Sequence, residues 1–295
     1  MRAPTLALLT GLVSLCAASA RAQTAWSVQS NGNDHLYRID LASGVATDIG
    51  ATGFSDIESL SFSPSSGLLY GVDDVTDQLV TIDTASGAAT AVGPLGVNIT
   101  DTGLSFDCLG RLWMSTDAPK NPTNLYRLDP ATGLATLVGN QGQEVTGLAA
   151  RGTVLYGLGG DLKNNLVKID TTTGAASVVG PLLNVSLSDG GIDFDAGGTL
   201  WGIDPLSNAA GNPSQIFTIS TATGVASVQF EVADPAGNPL GGFEGLAIEG
   251  GLVCVPALPA WALVALAWGL AAAGALALRA GAFRGRGRGR SPDRP

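Results

Sequence analysis

Histidine is almost missing from this chain: His35 is the single one among 295 residues, and cysteine appears three times. That scarcity excludes most chemistry built on a nucleophile with a histidine base, and no serine sits in a nucleophile elbow. A zinc centre would also lack ligands, because Zn²⁺ takes Cys and His in number. No glycine-rich loop leads from a strand into a helix, so the usual phosphate cradle is missing too. His35 follows the polar turn Asn31–Asp34 and precedes a strand, which marks it as an ordinary surface residue. Basic charge is just as scarce through the middle of the chain. Between Gln23 and Gly250 there are 24 Asp/Glu against 7 Lys/Arg, a balance of −17. A segment this acidic does not seek nucleic acid or anionic lipid. Its charge serves solubility, with cation uptake as the functional alternative.

Glycine is abundant, at 41 residues, and it is periodic. The phrase LYRLDPATGLATLVG at Leu125–Gly139 recurs as LYRIDLASGVATDIG at Leu36–Gly50, LVTIDTASGAATAVG at Leu79–Gly93 and LVKIDTTTGAASVVG at Leu166–Gly180, with a looser copy, IFTISTATGVASVQF, at Ile216–Phe230. Each copy reads as a β-hairpin. Branched and aromatic side chains suit a packed pleated surface, and Gly44, Gly87, Gly133, Gly174 and Gly224 can take the positive φ that a type I turn with a following bulge requires. Asp40, Asp83, Asp129 and Asp170, with Ser220 in the fifth copy, stand where a side chain accepts backbone N–H groups two and three residues on. They read as turn caps rather than metal ligands.

The turn glycines are 43, 46, 41 and 50 residues apart, the period of a four-stranded propeller blade. Two further strands precede each hairpin, for example Leu104–Phe106 and Leu112–Met114, or Ile192–Phe194 and Leu200–Ile203. The first copy has a second strand, Trp26–Val28, but no first. The last piece, Phe243–Glu249, is a first strand with nothing after it. Joined, they complete a blade. The expected fold is therefore all-β, a propeller of five four-stranded blades closed by pairing the chain's end with its beginning, which leaves fewer open edges.

First strands line the centre of such a ring. Aligned by their Leu/Ile cores, they place Glu58, Thr102, Thr146, Gly190 and Glu244 at one level, preceded by Ile57, Asp101, Val145, Asp189 and Phe243. Hard carboxylate oxygens converging from several blades suit Ca²⁺. Glu58, Asp101, Asp189 and Glu244 are the candidate ligands, and calcium is the one cofactor the sequence suggests. Solvated carboxylates without an ion are the plainer reading. Longer loops at Thr116–Asn124, Asp204–Gln215 and Ala233–Gly242 are where such a ring would carry specificity.

The ends of the chain are of another kind. Residues 1–22 carry Arg2, an apolar run and small residues at Ala18, Ala20 and Ala22, the pattern of a secretory signal peptide. The propeller domain is expected over 23–250, followed by a Pro-containing linker at 251–259. Ala260–Leu278 holds 19 residues without a charge, about 28 Å as a helix, close to the ~30 Å of a bilayer core. The basic tail 279–295, with Arg279, Arg284, Arg286, Arg288 and Arg290, keeps that end cytoplasmic and leaves the ring outside. Cys108 and Cys254 remain in the exported chain. Export permits a bridge, but two separate thiols are the starting expectation.

Three resemblances follow from these residues. Val255, Pro256, Pro259 and Trp261, then an Ala/Leu-rich span and an arginine cluster, resemble the PEP-CTERM class of bacterial sorting signals, with Ala257 in place of the usual Glu as in the IPTL-CTERM variant. That resemblance implies an exosortase-like membrane protease as a partner and a final place at the cell surface or in the extracellular matrix. The repeat phrase resembles an uncharacterised group of secreted bacterial propellers, which implies the fold and no activity. Phe243-Glu244-Gly245 resembles the metal-ligand strand of six-bladed gluconolactonase-type lactonases, although a blade and the Asn ligands of those enzymes are missing. The functional expectation is a non-catalytic, surface-targeted propeller that binds a glycan, polymer or protein. The alternative is a Ca²⁺-dependent hydrolase using the channel carboxylates.

Overall fold

The computed structural model describes residues 23–252 and Cys254, apart from residues 31, 117–122, 161–162, 188 and 207–211. The expected signal peptide, the sorting residues Val255, Pro256, Pro259 and Trp261, the membrane span and the arginine cluster lie outside the described residues. Among the described residues, no helix is long and apolar enough to cross a membrane. The chain divides into Met1–Val253 and Cys254–Pro295, and the first unit is the ring.

Among the described residues, twenty strands form five four-stranded antiparallel sheets. Blade I contains β1 (Thr24–Gln29), β2 (His35–Asp40) and β3 (Ala46–Ala51). Blade II is β4 (Ile57–Phe62), β5 (Leu69–Asp73), β6 (Gln78–Ile82) and β7 (Ala89–Pro94). Blade III is β8 (Thr102–Phe106), β9 (Leu112–Thr116), β10 (Asn124–Leu128) and β11 (Ala135–Asn140). Blade IV is β12 (Gly147–Arg151), β13 (Val154–Leu158), β14 (Asn165–Ile169) and β15 (Ala176–Pro181). Blade V is β16 (Gly191–Phe194), β17 (Leu200–Ile203), β18 (Gln215–Ile219) and β19 (Ala226–Glu231). The last strand, β20 (Phe243–Ile248), returns to blade I and pairs with β1, Val28 opposite Glu244 and Ala25 opposite Ile248. The expected closure is therefore present.

Hydrophobicity falls from the axis outwards, because inner strands are covered on both faces and outer ones on neither. β8 is buried throughout, whereas β11 is mostly exposed. Each pair of neighbouring blades encloses its own core. Phe194 and Phe217 of blade V pack with Leu158 and Leu166 of blade IV, and Phe106 and Met114 of blade III pack with Val72 and Leu79 of blade II.

The repeat phrase also stitches blade to blade. Its alanine at the start of each outer strand donates its N–H to the preceding blade: Ala46 to Ala233, Ala89 to Thr52, Ala135 to Leu95, Ala176 to Gln141 and Ala226 to Leu182, at 2.8, 2.9, 2.9, 3.2 and 2.8 Å. The two glycines of the phrase meet here as well. Gly133 has φ +83°, and a Cβ on it would lie 2.4 Å from the carbonyl oxygen of Gly93, the closing glycine of the copy before. The turn glycine thus serves positive φ and close approach together.

The inner strands run in one direction, so the ring has two unlike faces. At one, the mouth, the inner strands begin, and the loops β9–β10, β17–β18 and β19–β20, the three long ones of the sequence, all arise there. At the other, the floor, lie the short hairpin turns and the ends of the inner strands. Between the faces, at the throat, the strands leave a cavity of about 10 Å³, room for about one water molecule. Gly103, Gly147, Gly191 and Gly245, with Ser59, line it at one level. A Cβ on Gly191 would lie 2.3 Å from the Leu246 nitrogen, so five strands converge this tightly only where the residue is very small. On the floor a cavity of about 300 Å³ is lined by Ser61, Phe106, Asp193 and Ile248–Leu252.

One expectation is corrected. Cys108 and Cys254 are both disulfide-bonded rather than free thiols. Cys108 lies in the β8–β9 turn, on the floor, where its N–H donates to the Gly152 carbonyl at 2.9 Å.

Candidate functional site

The mouth is built by the starts of the inner strands. Glu58 stands on β4 and Glu244 on β20, while Asp101 and Asp189 lie just before β8 and β16. Glu58, Asp101 and Asp189 bring ligand oxygens within 4.8 Å of one another. A second group with the same spacing is Asp56, Glu58 and Asp74. Glu244, the fourth candidate of the sequence, belongs to neither group but bears on Glu58 electrostatically from the adjoining strand.

Hydrogen bonds fix the frame and leave single oxygens of Glu58, Glu244 and Asp74 without a partner. Asp34 Oδ2 accepts from the Ile57 N–H at 2.6 Å, Asp56 Oδ1 from the Ser30 hydroxyl at 2.8 Å, and Asp73 Oδ2 from the Thr76 N–H at 2.9 Å. Below the cluster the Ser59 and Thr102 hydroxyls meet at 3.0 Å. Glu58 is only 6% exposed, yet its Oε2 has no hydrogen-bond partner. Oε2 of Glu244 and Oδ1 of Asp74 are buried in the same condition.

Acidity follows from this geometry. Burial, then the charges of Glu244, Asp189, Asp101 and Asp56, push the Glu58 carboxyl well above the usual carboxylate range. Glu244 is pushed up to about 9 by burial and by Asp189, Asp56 and Asp34, with a Ser30 hydrogen bond pulling the other way. Burial comes first again at Asp74, which rises to about 7 with help from the charge and hydrogen bond of Asp56. Carboxylates this close cannot all ionise in a low-dielectric site unless protons or a cation compensate. An all-oxygen donor set matches a hard cation. Two oxygens on one Ca²⁺, each at 2.3–2.6 Å, stand no more than about 5 Å apart. The residues therefore fit calcium.

The other acids behave differently. Oδ1 of Asp40, Asp83, Asp129 and Asp170 accepts the N–H two residues on, from Ala42, Ala85, Ala131 and Thr172, at 2.9, 2.9, 2.9 and 2.8 Å. They are turn caps, as their sequence context indicates. His35 sits two strands out from β20 and contacts both carboxylate oxygens of Asp48 at 3.0 Å.

Asp56 and Asp74 were not anticipated. Alignment of first strands alone cannot see Asp74, which follows β5. Because β5 runs antiparallel to β4 with Asp73 opposite Ile57, its end returns to the mouth. Folding Ile57–Asp74 as a hairpin on paper would have revealed it.

Residues 50–239 match a family described as "Repeat of unknown function (DUF6923)". The chain belongs to that family. No curated protein matches it. Among solved structures, the ring is similar to a chain of a nidogen/laminin complex at 10% identity and a TM-score of 0.49, covering 78% of this chain and 100% of that one. It is also similar to a structural genomics protein of unknown function from Bacteroides thetaiotaomicron at 20% identity and TM-score 0.47, covering 61% and 53% of the two chains. TolB from Acinetobacter baumannii follows at 16% identity and TM-score 0.44, covering 77% and 54%. This chain thus spans about half the length of the last two. At these scores the likenesses say nothing about a ligand.

Proposed function

We propose that the chain is an exported, non-catalytic binding propeller that presents its mouth face to a ligand at the cell surface or in the extracellular matrix. The observation that supports this reading best is sidedness. The unsatisfied carboxylates and all three long loops share the mouth, whereas Leu252, where the described ring ends, packs on the floor against the cores of blades II to IV. On this reading the signal peptide exports the chain, and an exosortase-like protease acts near Pro256–Trp261.

The ligand is a glycan, polymer or protein met by the loops Thr116–Asn124, Asp204–Gln215 and Ala233–Gly242. A mouth that narrows to that small throat cavity suits retention of a ligand at the rim. The alternative, a Ca²⁺-dependent lactonase-like hydrolase, would use the same carboxylates. The test is to incubate the purified protein with lactone and phosphoester substrates and, separately, with arrayed glycans, each with CaCl₂ or EDTA. Retention on the array without turnover is expected. Turnover lost in Glu244→Gln would replace the binding reading with the hydrolase. Mass spectrometry of the mature C-terminus tests the sorting part: loss of the basic tail is expected, and retention through Pro295 would leave a plain membrane anchor.

A further inference from the structure

We propose that the mouth holds two divalent, oxygen-seeking cations of the calcium class side by side, with Glu58 shared between them. The inference deepens the mouth-face reading, but it stands whether or not the protein is catalytic.

The two carboxylate groups overlap at one residue. Asp56, Glu58 and Asp74 all come from blade II and its entry loop. Glu58, Asp101 and Asp189 reach across the ring from blades II, III and V. Within each group every pair of ligand oxygens is within 4.8 Å, inside the limit of about 5 Å for two oxygens on one Ca²⁺. Glu58 is the common corner, and a carboxylate with two oxygens can bridge neighbouring cations.

A second observation, separate from the clustering, points the same way. Glu58 is 6% exposed and held among other acids, yet Oε2 has no partner. A buried polar oxygen without a hydrogen bond costs about 1–3 kcal/mol, more when it is charged, and a bound ion is one of the few things that account for such an atom in a native fold. A cation seated between Glu58 and its neighbours removes that cost. Charge argues for two ions over one. Asp56, Glu58, Asp74, Asp101, Asp189 and Glu244 offer more negative charge than a single dication neutralises. The donor chemistry sets the class: oxygen alone disfavours zinc and copper, and an irregular carboxylate set suits Ca²⁺ better than Mg²⁺, which demands a near-ideal octahedron and keeps its waters.

The test is calcium stoichiometry of the full chain after stripping with EDTA, read by native mass spectrometry and by isothermal titration with CaCl₂. Wild type is expected to take up two Ca²⁺. Asp74→Asn and Asp189→Asn should each keep one, and Glu58→Gln, nearly isosteric, should lose both while its far-ultraviolet spectrum stays that of wild type. One ion in wild type, or either ion retained in Glu58→Gln, overturns the shared arrangement. No uptake by wild type overturns the site altogether. Should Glu58→Gln fail to fold, the two aspartate variants decide: if either keeps both ions or loses both, the proposal falls. Turnover with the substrates named above would end the binding reading while leaving this count unaffected.

Discussion

The acids of this ring fall into two populations that composition alone would pool. At the hairpin turns, Asp83, Asp129 and Asp170 are exposed and Asp40 is half-buried, and each accepts hydrogen bonds from its own turn. Those bonds hold the carboxyls of Asp83 and Asp170 below their usual range. At the mouth, Glu58, Glu244 and Asp74 carry buried oxygens without partners, and burial and neighbouring charge raise all three. Local sequence satisfies the first set. The second is created only when strands from different blades meet, so its demand for a counter-charge belongs to the tertiary fold.

The comparison breaks most visibly with calcium itself. At a concentration about 100 times its Kd, an ion binding only the folded state adds about 2.7 kcal/mol per site. Differential scanning calorimetry should show Ca²⁺ raising the melting temperature of wild type but not of Glu58→Gln. An equal rise in both would place the ion elsewhere. The next effect comes from the throat, which brings the mouth together. A side chain on Gly191 meets the Leu246 nitrogen at 2.3 Å and the Gly245 carbonyl carbon at 2.4 Å, and backbone cannot swing aside as a side chain can. Gly191→Val should cost about 3 kcal/mol in urea unfolding, the upper end for overpacking, and should weaken calcium uptake as well.

Asp193 sharpens the contrast as an intermediate case, a half-buried acid with both oxygens partnered. Its carboxylate accepts from the Ile248 N–H at 2.7 Å and the Phe194 N–H at 2.8 Å, tying β16 to β20 above the floor cavity. Burial nevertheless raises it to about 7, against the pull of those two bonds. A folded-state value above the unfolded one, near 3.9, gives stability that is complete below pH about 4 and lost as pH climbs to about 7. In EDTA the melting temperature of wild type should fall across that window more steeply than that of Asp193→Asn, and equal slopes would contradict the assignment. The smallest effect is at a turn. Asp129→Ala removes the bonds to the Ala131 N–H and the Thr132 hydroxyl and should lower the melting temperature by about 2–4 °C. Its calcium response should stay that of wild type.

Much of the architecture is legible in the sequence because the repeat writes local chemistry five times. The Asp-to-Gly turn, the alternating strands and the orphan pieces Trp26–Val28 and Phe243–Glu249 together dictate the ring and its seam. Glu58 with Glu244, and Asp101 with Asp189 one position earlier, are legible for the same reason, since aligning the first strands brings these two adjacent levels together. Asp56 and Asp74 are not, because they arrive through a hairpin register and an entry loop rather than through the repeat. The throat glycines Gly103, Gly147 and Gly191 are visible as a column of small residues, yet their purpose needs the strand-to-strand distance. The disulfide state of Cys108 and Cys254 is not legible, because two cysteines in an exported chain suit free thiols and a bridge alike.

The central claim is that cation demand resides at the mouth and not at the turns. Anomalous diffraction from crystals of the protein grown with CaCl₂ tests it most directly. The account expects anomalous peaks about 2.3–2.6 Å from Glu58 Oε2, shared with Asp74 on one side and Asp189 on the other, and none at Asp40, Asp83, Asp129 or Asp170. Peaks at the turn aspartates with none beside Glu58 would contradict it.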